Sequence, residues 1–177
     1  MIIIVGPSAS GKTSVAKELT INYGFKKFVT STTRAPRSQE INGVDYNFIT
    51  LDTFNKKITQ NDFIEYTFYN GNYYGSERKH IEQNTVIIVE SSGLKAFKNL
   101  NVKNIVSYYL DIDEDTRVKR MEERGDSKET IRERIIHDKY KFDASLLQYI
   151  DKVIKCDSKK VEEIAKEIYV DYSSRIN

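Results

Sequence analysis

Gly6-Pro7-Ser8-Ala9-Ser10-Gly11-Lys12-Thr13, entered from the apolar run Met1-Ile2-Ile3-Ile4-Val5, is the stretch whose reading decides the fold. Its spacing is G-x-x-x-x-G-K-[ST], the pattern of a phosphate-binding loop. The apolar residues before it read as a buried parallel strand, and Ser14 to Tyr23 reads as a helix with Val15, Leu19 and Tyr23 on its apolar side. Backbone N–H groups must wrap a triphosphate at close range, so glycine stands where a Cβ would block the approach or where φ must be positive. The helix beginning at Gly11-Lys12 turns its free N–H groups and positive dipole end toward the same phosphates. Lys12 would set a point charge on the β- and γ-phosphates, and Thr13 would offer a hydroxyl to Mg²⁺. The bland alternative is a chance match in a Gly/Ser loop, which the strand before and the helix after oppose. Gly6, Ser8, Ala9, Ser10, Gly11, Lys12, Thr13 and Ser14 are thus the expected ATP-binding loop residues.

Downstream of Gly24, Lys26 to Thr30 suits a second strand. In Ser31-Thr32-Thr33-Arg34-Ala35-Pro36-Arg37, two arginines three apart beside hydroxyls make a clamp for a second phosphate, with a solvated polar loop as the even alternative. Tyr46 to Ile49 reads as a short strand, and Asp52 as the cap of a helix over Thr53 to Gln60. Phe63 to Tyr69, the turn Asn70-Gly71, and Asn72 to Gly75 read as a hairpin. Residues 31 to 75 therefore form a small Tyr-rich β insertion, whose tyrosines ordinary strand packing would also explain.

Helical sequence is expected from Ser76, then a central parallel strand over Thr85 to Glu90. Glu90 is the candidate carboxylate for an Mg²⁺ shell, or only a cap for the helix Ser91 to Asn99. A strand over Ile105 to Leu110 leads to a helix capped by Asp113 or Asp115, which puts Arg117, Arg120 and Arg124 on one face. Gly125 ends it, and a second helix runs from about Glu129 to Leu147. This arginine-rich hairpin reads as a lid over phosphates, against the alternative that its charges pair with Glu122, Glu123, Glu129 and Glu133 at the surface. A strand over Lys152 to Cys156 and a helix from Ser158 to about Tyr169 close the chain. His80 and His137 have no partners at metal or triad spacing and are incidental.

The 177 residues make one compact unit. With 28 basic and 26 acidic residues the net charge is +2, which gives no global case for nucleic acid. The lone Cys156 fits a reducing cytoplasm, and the short apolar start is neither a signal peptide nor a membrane span.

The assembled motifs resemble those of the guanylate kinase family over nearly the whole chain: the phosphate loop, Ser31 to Arg37, Gly43-Val44-Asp45-Tyr46-Asn47-Phe48, and Phe63-Ile64-Glu65 through Gly71-Asn72-Tyr73-Tyr74-Gly75-Ser76. The resemblance implies an α/β phosphate-loop kinase fold: a five-stranded parallel core sheet flanked by helices (1–30, 76–112 and 148–177), a β-rich GMP-binding insert (31–75) and a helical lid (113–147). It implies that Arg34, Arg37, Tyr46 and Tyr74 hold the GMP phosphate and that Thr30, Glu65, Ser76 and Glu90 surround the guanine. It gives Arg120, Arg124 and Arg134, with Lys12 and Arg37, to the transferring phosphoryl group, Cys156 to the adenine pocket, and Thr13 and Glu90 to the metal. Two departures stand out: Ile88 and Glu90 replace a pair of aspartates at the end of the third core strand, and Cys156 replaces an asparagine.

The expected function is ATP:GMP phosphotransfer with Mg²⁺, with dGMP as a further acceptor, in a monomer or weak homo-oligomer bound to no nucleic acid or membrane. The acceptor phosphate has a second pKa of about 6 and is largely ionised at neutral pH, so no general base is needed. The alternative is a guanylate-kinase-like module that binds phosphorylated ligands, which the intact loop opposes; another small-phosphate kinase is opposed by Glu65 and the Tyr74-Gly75-Ser76 segment.

Overall fold

The computed structural model describes residues 1–38, 40–69, 71–78, 81–100, 102–142 and 144–176. Its centre is β1 (Ile2–Val5), four apolar residues with no exposed surface. β1 pairs in parallel with β7 (Thr85–Ile88) on one side and with β8 (Val106–Asp111) on the other. β2 (Lys26–Lys27) and β9 (Lys152–Lys155) complete a five-stranded parallel sheet in the order β2-β7-β1-β8-β9. Strand side chains alternate between faces, so β1 feeds both cores. Ile2 and Ile4 join Val15, Leu19, Ile164, Ala165, Ile168 and Tyr172 beneath α1 (Lys12–Asn22) and α6 (Val161–Ile176). Ile3 and Val5 join Phe28, Leu94, Phe97 and Leu146 beneath α3 (Ser91–Lys98). Each such isoleucine contributes about 1.5–3 kcal/mol by leaving water.

The second sheet has the order β4 (Asn47–Phe48), β3 (Ser31–Thr32), β6 (Asn72–Glu77), β5 (Phe63–Tyr69). β5 (Phe63–Tyr69) and β6 (Asn72–Glu77) form the expected hairpin, with Gly71 at φ 77° in its turn and Asn70 outside the described residues. β3 (Ser31–Thr32) runs antiparallel to β6 and parallel to β4 (Asn47–Phe48). α2 (Leu51–Thr59) closes one face, Phe54 stacking on Phe63 with ring centres 4.4 Å apart. α4 (Glu114–Glu123) and α5 (Lys128–Lys141) make an antiparallel hairpin around Met121, Ile131 and Ile135.

Several expectations are corrected. Ser31-Thr32 is a short strand, against the solvated loop that stood as the alternative, because both side chains bond inward: Ser31 Oγ donates to Glu77 (2.5 Å) and Thr32 Oγ1 to the Tyr73 carbonyl (2.9 Å). No helix starts at Ser76; β6 continues through Glu77, whose carboxylate also takes Lys57 Nζ at 2.8 Å. Lys79 and His80, in the same stretch, lie outside the described residues. Thr50, not Asp52, caps α2, its hydroxyl accepting from Thr53 N. α5 stops at Lys141 with a 3-10 turn from Ala144 to Tyr149, and α6 runs on to Ile176. Asp113 and Ser127 cap α4 and α5, each accepting a backbone N–H three residues on.

Candidate active site

The phosphate loop sits where β1 ends, at the carboxyl edge of the parallel sheet, as open α/β sheets place their ligands. A Cβ on Gly6 would lie 2.9 Å from the Leu110 carbonyl oxygen, so only glycine lets the loop leave the sheet there. Gly11 has φ 94° at the start of α1, a left-handed conformation that glycine adopts without strain. Ser10 is buried, and its hydroxyl has no partner among the described residues; Thr13 and Ser14 lie exposed on the first turn of α1. Lys12 Nζ donates to the Gly6 and Pro7 carbonyls at 2.7 and 2.8 Å, curling back over the loop. Burial lowers its pKa to about 8, opposed by the charges of Asp138 and Glu90 and reinforced by Arg117.

The second sheet carries a separate set of polar side chains. A register shift between Phe63 and Glu65 sets Glu65 directly across from Ser76, which puts both side chains on one face. Ser76 Oγ donates to Glu65 Oε1 at 2.6 Å. Burial raises the Glu65 pKa, the Ser76 bond lowers it, and the charge of Glu90 raises it again. Arg34 is aimed by Thr32, whose hydroxyl accepts Arg34 N at 3.2 Å. Its guanidinium lies 5.5 Å from the Tyr46 ring centre, and the rings of Tyr46 and Tyr74 are 6.0 Å apart. Both Glu40 oxygens take Arg34 Nη2, at 2.7 and 2.9 Å, and the carboxylate also accepts the Arg37 N–H at 2.8 Å. Bonding to Arg34 pulls the Glu40 pKa down. The Arg37 side chain is exposed, and Thr30 is half-buried with its carbonyl accepting Asn47 N.

The helical hairpin divides its charges between two ends. Near the sheet, Arg117 Nη1 donates to Asp138 Oδ2 at 2.8 Å, both side chains 7% exposed. Asp138 also accepts the Ser8 N–H (2.9 Å) and hydroxyl (3.2 Å). Arg120 Nη1 reaches the Ala9 carbonyl at 3.2 Å. At the far end Arg124 and Arg134 both pair with Asp126. Arg120, Arg124 and Arg134 are thus not gathered at one point; of the three, Arg120 touches the loop. These arginines pair with Asp126 and the loop carbonyl rather than with the surface glutamates. Cys156 is buried in the core and its thiol donates to the Ile154 carbonyl, so a base could meet only its backbone. His137 is exposed on α5.

Glu90 stands at the N-terminus of α3 without capping it by its side chain, and pairs with Lys141 of α5. Ile88, two residues before it, is 37% exposed at the same sheet edge. Among the described residues no cluster of three or more His, Cys, Asp or Glu exists to hold a metal. That fits Mg²⁺ all the same, which uses one or two protein oxygens and completes its octahedron with phosphates and water. Thr13, exposed on the first turn of α1, and Glu90, at the N-cap of α3, are the oxygens that would serve such a site.

Sequence reasoning missed Glu40 and Asp138. Glu40 follows two arginines within six positions, an anion in a segment that otherwise reads as cationic. Asp138 lies four residues after Arg134, one helical turn along the same side of α5.

Fold and site define a phosphate-loop protein of the α/β class, with the loop on the core sheet and an arginine-bearing polar cluster on a second, smaller sheet. Comparison with known sequences gives the family: the guanylate kinase profile matches residues 1–170, and the chain belongs to the guanylate kinase family. The guanylate kinase of Mycoplasma capricolum is 42% identical over 118 residues, 62% of this chain and 39% of that protein. The chain therefore spans about two fifths of the length of that relative. The guanylate kinase of Fusobacterium nucleatum is 31% identical, over 76% of this chain and 77% of its own length. A crystal structure of guanylate kinase from Anaplasma phagocytophilum superposes with a TM-score of 0.69 at 22% identity, covering 100% of this chain and 86% of that one. At that identity the likeness bears on the fold. Among the described residues no helix is long and apolar enough to cross a membrane.

Proposed function

We propose that this chain transfers the γ-phosphoryl group of ATP to GMP, giving ADP and GDP, with dGMP as a further acceptor. The observation that carries the reading is the place of α3: Glu90 stands at its N-cap, and the Glu65 carboxyl carbon lies 3.7 Å from where a Cβ on Gly93, in its first turn, would stand. β7, which leads into α3, pairs with β1, which leads into the phosphate loop, and this supports a reading in which the loop and the Glu65–Ser76 pair face one substrate cleft. In this reading 31–75 is the acceptor insert, 113–147 the lid and the remainder the core, working in the cytoplasm on ATP and GMP.

Glu65 accepts from N1–H and N2–H₂ of guanine, and the Ser76 hydroxyl, released from Glu65, turns to O6. Adenine presents an acceptor at N1 and would leave the buried carboxylate unpaired, which is a strong basis for rejection. Arg34, Arg37, Tyr46 and Tyr74 take the acceptor phosphate as Glu40 releases Arg34. Attack needs no proton abstraction, because that phosphate is already ionised. The residues supply position and countercharge: Lys12 swings from its own loop carbonyls to the phosphates, and Arg120, Arg124 and Arg134 close from the hairpin. Thr13 and Glu90 would hold Mg²⁺, which when bound neutralises charge between the β- and γ-phosphates.

The test is a coupled ADP-release assay with MgATP against GMP, dGMP, AMP, CMP and UMP. Turnover confined to GMP and dGMP is the expected result. Turnover with none of them would overturn the reading in favour of a module that binds phosphorylated ligands.

A further inference from the structure

The innermost charges of the helical hairpin differ from the rest. Arg124 and Arg134 have side chains 50% and 42% exposed, where solvent screens their pairing with Asp126. Arg117 and Asp138 are shut away at 7% each. A buried ion pair is poor glue, since the cost of stripping water from two charges offsets most of their attraction. This pair does not even satisfy itself: Arg117 Nε is buried with no partner among the described residues. Two apolar side chains would hold α4 to α5 as well. What they could not do is accept hydrogen bonds from the phosphate loop, and Asp138 accepts two, from Ser8 N–H and Ser8 Oγ.

We infer that Asp138, held by Arg117, is a positioning residue for the phosphate loop: it fixes Ser8, and with it the front of the loop, in the shape that receives the nucleotide's phosphates. Three elements meet in this contact: α4 through Arg117, α5 through Asp138 and the loop through Ser8. The base of the hairpin is thereby tied to the loop, while Arg124, Asp126 and Arg134 at its tip are not. The loop's own turn, Ser10 N donating to the Pro7 carbonyl at 3.2 Å, spans Ser8 and Ala9, so a displaced Ser8 carries the turn with it. Ala9, in the same turn, sits at φ 61°, a left-handed conformation that a non-glycine residue keeps only where its surroundings hold it. The inference rests on the reading that this loop binds ATP.

The test compares Asp138→Ala, Asp138→Asn and the double variant R117L/D138A with the unaltered chain. Asp138→Ala alone strands the buried guanidinium and should melt well below the unaltered protein. The double variant removes both charges and should recover most of that loss. At recovered stability it should still bind MgATP at least tenfold more weakly by calorimetry. Its kcat/KM for MgATP should fall in parallel, with the KM for GMP within about twofold. Asp138→Asn keeps an acceptor oxygen for the Ser8 N–H and should fall between. A double variant that melts, binds MgATP and turns over like the unaltered chain would overturn the inference, leaving the pair a packing device. If the double variant does not fold, Asp138→Asn decides in the same way, an unchanged MgATP affinity counting against. Affinity is read apart from turnover, so an unaltered chain that binds MgATP but does not phosphorylate GMP would defeat the proposed function while this comparison still stands or falls by itself.

Discussion

Both sheets bury apolar side chains, but the second also buries a network of polar ones. In the core sheet every residue of β1 is apolar and fully buried, and the strand feeds a hydrophobic cluster on each face. In the second sheet the fully buried residues include Ser31, Thr32, Ser76 and Glu77, joined by directed bonds among Ser31, Glu77 and Lys57. Apolar burial is non-directional and follows global stability; a polar network fixes angles and fails when one member is lost. On the proposed reading, the donor loop stands on the sheet whose central strand is wholly apolar, and the acceptor pocket on the sheet that also buries directed polar bonds.

The sharpest way to break this contrast is at the loop itself. Lys12→Ala should lower kcat by roughly 10³-fold or more while leaving the melting temperature near its original value, because the ammonium serves the phosphates and not the core. Near-normal turnover in that variant would mean that the loop is not the donor site. Next in size, Ile4→Ala should cost about 2–5 kcal/mol of unfolding free energy, read by urea denaturation, with ATP and GMP affinities falling together as the whole molecule loosens. Glu65→Gln should separate function from stability. Turnover of GMP should drop by roughly 10²-fold as guanine loses its carboxylate. Burial raises the Glu65 pKa above its unfolded value, so ionisation favours the unfolded chain, and the fold is less stable above the folded pKa than below it. The glutamine variant should therefore melt higher at neutral pH, with the gap shrinking as pH falls through the folded pKa toward the unfolded one; a lower melting temperature at pH 7 would contradict the sign. Smallest, Gly75→Ala would push a Cβ to 2.7 Å from the Phe63 ring, costing about 1–3 kcal/mol. Calorimetry should then find GMP binding weakened and MgATP binding unchanged; equal losses in both would mean the two sheets are not separable.

The same contrast governs what can be read in the sequence. The core strands announce themselves because a parallel sheet buried on both faces needs uninterrupted apolar runs, and Ile2 to Val5 or Thr85 to Ile88 suit little else. The loop is legible because its spacing is dictated by phosphate geometry. In the second sheet the hairpin is visible through its aromatic residues and turn, but β3 is not. Ser31 and Thr32 become strand residues only through partners more than forty positions away, Glu77 and Tyr73. The same long-range bond turns Glu77 inward and defeats the helix expected from Ser76. Asp138 is hidden for a related reason: an acid on a charged helix resembles every other surface acid until Arg117 and Ser8 are brought to it.

Glu40 gives the acceptor pocket a property that a count of its arginines would not suggest. Its carboxylate already occupies Arg34 and the Arg37 N–H, so the pocket carries a tethered counterion. If this is where the acceptor phosphate binds, as proposed, it would not fill a vacant cationic site but displace a resident anion of the protein's own. Affinity is then set by the difference between two anions for one guanidinium, the tethered one enjoying a high local concentration. On the proposed reading, sulfate or inorganic phosphate, lacking a purine to anchor at Glu65, would compete against that tether at a disadvantage, and the pocket would screen out small anions before any shape is read.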